Sequence, residues 1–357
     1  MKKTTCITVL LLFIGGCNII LSGQENLEAF ARNIEQSLQN KNTFYFTNNF
    51  DYSKFYQQII LWENSLNEFT TNSHSKNMLA VDAGSLIGNE LGETGKIDFI
   101  GIKTGASDTV LVYRLLTLTG ISYHEYYVSK KMDGYSIYNI YFYNKFSYLS
   151  EQCVNQANNR SRLTTNAAKI NRLIQKDRYR KALNIYDRLS AKEKTVKDIL
   201  LLAIKASSYS NQDKTTELIN LYKSVYGEDN RIYLLPIEGS FTTSAYASTM
   251  KYMSLLETEI TNDPFLNFYK GSVMKESGSY NRAEWCFNEL IDKMPEMQTG
   301  YFSLLKLYIE NNQFDSAVNQ LSAIEQIFGY YKESLSRYLN NYNSFLESQE
   351  FTAWLQE

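Results

Sequence analysis

The side chains able to do chemistry are few for a chain of 357 residues, and imidazole occurs only twice, as His74 and His124. A histidine-based metal site would need both rings and carboxylates besides. The two lie fifty positions apart, His74 in polar sequence and His124 in a strand-like run, so neither a metal nor a cofactor is expected. What remains is acid–base chemistry by a group whose pKa burial has moved. Asp82, Asp98, His124 and Glu125 are the titratable candidates, with Tyr126 and Tyr141 as hydrogen-bond donors, and nothing in their spacing selects one. Solvated or ion-paired carboxylates are the plainer reading, and Arg114 offers Glu125 a partner. No phosphate loop, paired-cysteine metal motif or nucleophile elbow occurs.

The first residues, MKKTTCITVLLLFIGGCNIILSGQEN, place two lysines before an apolar run from Ile7 to Ile14 that resumes at Ile19 to Leu21. A charged start, a short apolar core and small residues behind it describe an export signal over residues 1–23. The run is too short and too broken by Gly15, Gly16 and Asn18 to span a bilayer. Ile14-Gly15-Gly16-Cys17 resembles the bacterial lipobox, which would leave Cys17 as a lipidated N-terminus. The apolar Asn18–Leu21 stretch favours ordinary cleavage near Gly23-Gln24 instead, and both remain open. An exported chain, periplasmic, outer-membrane or secreted, is expected, touching a membrane only through such an anchor.

Loss of the leader removes Lys2 and Lys3, leaving 34 basic against 38 acidic side chains, a net charge of −4. A weakly acidic exported chain is a poor nucleic-acid binder. Of four cysteines, Cys153 and Cys286 lie well beyond the leader and far apart, which is no disulfide framework. Cys286, between Trp285 and Phe287, reads as a small buried hydrophobe.

The elements that must position these groups fall into two patterns. From residue 25 to about 150, Leu27, Phe30, Ile34 and Leu38 recur at helical spacing, as do Phe55, Ile59, Trp62 and Leu66, and a smaller helical stretch covers Met78 to Leu91. The period then switches to four β-branched and aromatic runs, KIDFIGIK, DTVLVYRLLTL, ISYHEYYVSKK and YSIYNIYFYN, joined by short turns, which predicts an antiparallel meander. If Thr119-Gly120 is a two-residue turn, Arg114 faces Glu125 across the strands. Helices followed by a curved sheet resemble the cystatin-like or NTF2-like α+β cone. That resemblance implies a pocket between sheet and helix, lined by Asp82, Arg114, His124, Glu125, Tyr126 and Tyr141, for a small molecule or an enzyme activity. Polar NNRSRLTTN places a junction over residues 151–162.

The C-terminal half repeats itself. Tyr280, Ala283, Phe287 and Leu290 recur as Phe314, Ala317, Leu321 and Ile324, each pair 34 residues apart, and Gly271 and Gly278 precede the first set. The period and these positions resemble the tetratricopeptide repeat, whose paired helices stack into an all-α solenoid. Carried along the chain, the frame starts repeats at 163, 197, 231, 264 and 298, followed by a capping helix over 332–357. The unit at 231 is degenerate, with Pro236 and Gly239 expected to break its first helix. The resemblance also implies a ligand-facing surface on the first helix of each repeat: Phe265, Phe268, Ser272, Lys275 and Glu276 in one, Thr299, Phe302, Lys306, Ile309 and Glu310 in the next. Phe265 and Phe268 packed against the preceding repeat is the competing reading. With no catalytic constellation, a non-enzymatic binding or scaffolding module for another exported or envelope protein is expected, and an activity in the N-terminal pocket is the alternative.

Overall fold

The computed structural model describes residues 26–65, 83–105, 108–117, 120–132, 134–157 and 165–356. Cys17, His74 and Asp82, with the export signal, lie outside them. Four helices open the chain: α1 (Leu27–Gln39), α2 (Phe44–Asn48), α3 (Tyr52–Ser65) and α4 (Ala83–Leu91). Asn26 caps α1, its side-chain oxygen accepting the Ala29 N–H at 2.7 Å, and the 3.6 period then buries Phe30, Ile34 and Leu38. An antiparallel meander follows, β1 (Lys96–Thr104), β2 (Thr109–Thr117), β3 (Gly120–Lys131), β4 (Gly134–Phe142) and a short β5 (Ser147–Tyr148) that makes five strands where four were read.

The register corrects the expected pairing. Thr117 pairs with Gly120, so Arg114 lies opposite Tyr123 and Glu125 opposite Val112. Gly120, at φ 112°, is the first residue of β3 rather than part of the turn, a conformation glycine takes without strain. The slip moves each partner by two positions and therefore keeps every side chain on its face.

Both faces of this sheet are buried, which explains why β2 and β4 read as nearly unbroken apolar runs. Ile97, Leu111, Tyr113, Leu115, Tyr126, Ile137, Ile140 and Phe142 pack on the opening helices. Tyr123, Tyr141 and Tyr143 share a core with Ile170, Leu200, Ile204, Ile237, Leu256 and Leu266 of the helical half. Helix α5 (Leu149–Ala157) buries Leu149, Cys153 and Val154 in the first of these cores, because their i, i+4, i+5 spacing lays one apolar stripe on the sheet end. Residues 151–157 therefore belong to the N-terminal layer, and the junction expected at 151–162 does not begin until after them.

Helix hairpins make up the rest: α6 (Thr165–Ile174) with α7 (Tyr179–Asp187) and a turn of helix α8 (Ala191–Lys194), α9 (Lys197–Ser208) with α10 (Gln212–Tyr226), α11 (Leu234–Thr242) with α12 (Tyr246–Glu257), α13 (Leu266–Glu276) with α14 (Tyr280–Lys293), and α15 (Gln298–Glu310) with α16 (Phe314–Phe328). These are the tetratricopeptide-like units, each first helix starting within three residues of the frame position. Gly271 admits the Phe287 ring, since a Cβ there would stand 2.5 Å from it. Ala283, Phe287, Ala317 and Leu321 are buried at helix contacts, whereas Tyr280 stays 39% exposed and Phe314 packs on Phe345.

The unit at 231 is not broken. Asn230–Tyr233 forms a 3-10 turn, Pro236 falls in the first turn of α11 where its missing N–H costs nothing, and Gly239 lets α11 lie against Ser208 of α9. The cap is three short helices rather than one: α17 (Lys332–Tyr338), α18 (Asn343–Leu346) and α19 (Gln349–Gln356). Phe345, Phe351 and Trp354 supply its core against Leu321 and Ile324 of α16.

Candidate functional site

The first helices α13, α15 and α17 face a common groove of about 580 Å³ at the C-terminal end of the array. Phe268, Thr299, Phe302 and Lys306 line it as expected, joined by Gln298, Ser303, Tyr330 and Tyr338. Phe302 sits edge-on to Tyr330 at 5.7 Å and to Tyr338 at 4.9 Å. Lys306 Nζ lies 5.1 Å from the Tyr338 ring centre, with no carboxylate oxygen within 4.0 Å among the described residues. Tyr330 Oη donates to Gln298 Oε1 at 2.9 Å, holding that ring upright at the rim. The groove thus combines aromatic walls with a cation held only by a ring face.

Six of the expected surface residues, Phe265, Ser272, Lys275, Glu276, Ile309 and Glu310, are placed elsewhere. Phe265 is 5% exposed and packs with Leu116, Ile121, Met294 and Met297, its ring 5.1 Å from the Arg114 guanidinium. The sheet covers it, which the sequence reading had not allowed for. Ile309 is core. Lys275 is bonded to Glu310 at 2.9 Å and lies 3.4 Å from Glu276. Burial lowers its pKa, but those carboxylates outweigh it and raise the value, so the charge is matched internally. Ser272 Oγ donates to the Phe268 carbonyl. Tyr338 was missed because it lies in the stretch read as a cap, although that stretch's density of tyrosine was a signal, and Tyr330 because it ends the preceding repeat, away from the first-helix positions.

The residues expected to line an N-terminal pocket do not converge among the described residues, since strand alternation sends them to opposite faces, and the cavity of about 480 Å³ beside α3 is lined by Trp62, Tyr127, Tyr138 and Tyr148 instead. His124 and Tyr126 point to the opening helices, where Phe30, Ala31, Ile34 and Phe46 fill the space. His124 Nε2 lies 3.1 Å from Glu90 Oε1 on α4. Burial raises the Glu90 pKa, yet the His124 ring, the Lys145 ammonium and the Asn144 amide outweigh it and hold the carboxyl below its ordinary value.

Arg114, Glu125 and Tyr141 face the repeats instead, and the expected Arg114–Glu125 pair is replaced by two ionic clusters. Arg114, 1% exposed, donates from Nη1 to Asp263 Oδ1 at 2.5 Å and from Nη2 to Asp98 Oδ2 at 2.8 Å, while Tyr123 Oη donates to Asp263 Oδ2 at 3.0 Å. Glu125 accepts Lys103 Nζ and Tyr143 Oη on one oxygen and Arg231 Nη1 and Tyr127 Oη on the other, at 2.8 to 3.2 Å. Lys103 also reaches Glu259, and Arg231 lies 3.6 Å over the Tyr141 ring. Asp229, Arg231, Glu259 and Asp263 all come from connections between repeats or the helix ends beside them. Arg114, Glu125 and Tyr141 are therefore spent on docking the sheet to the array, and each Glu125 oxygen accepts two hydrogen bonds.

No family model matches the chain, and no curated protein does. Among solved structures it is similar to a MamA mutant (13% identity, TM-score 0.32), a MamA RS-1 double mutant (9%, 0.34) and MamA AMB-1 (12%, 0.34). These matches cover 45–48% of this chain and 94–96% of theirs. At that level they add nothing to the geometry above, and the functional reading rests on the groove.

Proposed function

We propose that the protein is an exported, non-catalytic binding module that holds an extended segment of another exported or envelope protein in the groove between α13, α15 and α17. The observation that carries this reading is the groove itself, an aromatic trough with an unpaired lysine on first helices, while the sheet reaches only the start of α13 and the end of α14. An extended segment would set one apolar or aromatic side chain between Phe268, Phe302 and Tyr338 and a carboxylate on Lys306, the combination of buried anchor and polar rim that peptide grooves use. Export belongs to the same proposal and rests on residues 1–23, with Cys17 as the lipid-bearing residue if the lipobox is used.

The test is affinity purification from the native envelope with the wild type and with Phe268→Ala plus Phe302→Ala. A specific partner is expected with the wild type, and its affinity falls by about 1 to 4 kcal/mol in the double variant if both rings are anchors. Unchanged helical signal in circular dichroism separates lost binding from lost fold. Retention of the same partner by the double variant would remove the groove from the account.

A further inference from the structure

A second cavity, of about 440 Å³, lies at the seam between the sheet and the repeats, with Tyr269 on its wall 5.2 Å from the Phe268 ring of the groove. Ile121, Tyr123 and Tyr143 close it from the sheet, Leu234, Leu235 and Ile237 from α11, and Leu266 and Tyr269 from α13. Its size falls in the range of small-molecule sites, which favour such junctions between modules.

The wall is less polar than its tyrosines suggest. Tyr123 Oη is bonded to Asp263 and Tyr143 Oη to Glu125, so both hydroxyls are already committed to the ionic clusters. These two residues offer the cavity ring carbon, which attracts cations through its negative face. The charges on the lining are Glu90, Glu238 and Lys205, two carboxylates to one ammonium. Asn144, also on the lining, donates its amide to Glu90 Oε1 at 2.7 Å, together with His124 on the same oxygen, which leaves Oε2 without a partner among the described residues. Lys205 and Glu238 also line the neighbouring depression around Tyr179 and Tyr209, and so stand at the rim between two spaces.

We infer that this seam cavity is a binding site for a small amphiphilic cation, an ammonium group carried on a compact aromatic or branched apolar body. The body fills the space between the Tyr123, Tyr143 and Tyr269 rings and the Leu234, Leu235 and Leu266 side chains. The ammonium meets Glu90 and Glu238. Because the site is walled by both modules, an occupant binds only the docked state and stabilises it.

Calorimetric titration of the leaderless chain with three probes of one shape tests this: phenylethylamine, phenylethanol and phenylpropionate. The amine is expected to saturate with a dissociation constant below about 1 mM, about tenfold tighter than the alcohol, as a charge-assisted contact requires, with phenylpropionate weakest. Glu238→Gln should remove most of that tenfold preference and leave phenylethanol unaffected. Glu238 is exposed and outside both ionic clusters, so this variant should fold even if Glu90→Gln, which also loses His124, does not. Leu234→Trp, filling the cavity, should abolish saturation by either ligand while the melting transition persists. No saturation by the amine, tighter binding of phenylpropionate, or amine binding that survives Leu234→Trp would each overturn the assignment.

Discussion

Arg114 shows how much one side chain can carry. Its fork bridges Asp98 on β1, which Lys96 also pairs at 2.9 Å, and the buried Asp263 between α12 and α13, so removing it strands the Asp263 carboxylate. Burial raises the Asp263 pKa even with Arg114, the Phe265 N–H and Tyr123 opposing it, and without the guanidinium that opposition weakens. Arg114→Met is expected to cost about 3 to 5 kcal/mol in urea unfolding, and Arg114→Lys to recover little, because a point charge does not span the fork geometry. Glu90 gives a pH signature of the opposite kind. Its folded-state pKa lies below the ordinary 4.5, so ionised Glu90 contributes stability that is present above that pH and lost as pH falls through the lowered value. The stability gap between the wild type and Glu90→Gln should therefore be open at pH 7 and close below about pH 4.5, as thermal melts across pH would show. Burial pushes the Cys153 thiol up to about 11 and raises that of Cys286, so neither is expected to react with a thiol reagent at pH 8 until the chain is unfolded.

At the level of elements, two glycines in helices should respond with opposite signs. A Cβ on Gly239 would stand 2.1 Å from Ser208 Oγ and 2.7 Å from the Ser208 carbonyl carbon, forcing α11 off α9. Gly239→Ala should lose about 1 to 3 kcal/mol, overpacking outweighing helix propensity. Gly88 in α4 meets nothing within 4 Å, and Gly88→Ala should gain about 0.5 to 1 kcal/mol. Denaturant midpoints of the two variants read both. The same pair explains what was legible beforehand. The 34-residue phase of Ala283 with Ala317 and of Phe287 with Leu321 located every hairpin, because stacked repeats impose local, periodic demands. Pro236 and Gly239 looked like breakers, because whether a proline falls in a first turn, or a glycine at a helix crossing, depends on a neighbour thirty residues away. The Arg114–Glu125 pairing failed for a similar reason: the turn was placed one residue late, and the true partners, Asp263 and Arg231, come from the other half of the chain. Of the groove, Phe268, Phe302 and Lys306 followed from the repeat frame, whereas Tyr330 and Tyr338 required knowing how the cap folds back.

Across the whole molecule, the two halves form one structure, the sheet serving as the middle layer between the opening helices and the repeats. Its repeat-facing side combines the ionic clusters with the Tyr123, Tyr141 and Tyr143 rings, an area that neither half could leave in water without exposing a large apolar patch. A single cooperative unfolding transition is expected in calorimetry. The fragment 165–356 alone should bind more of the dye ANS than the intact chain, as fluorescence titration of the two would show.

The sheet, which reaches as far as the start of α13 and the end of α14, leaves the groove of α13, α15 and α17 as the proposed contact with a partner. Site-specific photocrosslinking in the native envelope addresses that most directly, with benzoylphenylalanine placed at Tyr338, 43% exposed on the groove, and in separate cells at Trp285, 61% exposed on α14 and outside it. A discrete adduct from position 338 that disappears with Phe302→Ala, and none from position 285, is the expected result. Adducts from 285 alone, or adducts from 338 that persist with Phe302→Ala, would contradict the assignment of the groove as the binding surface.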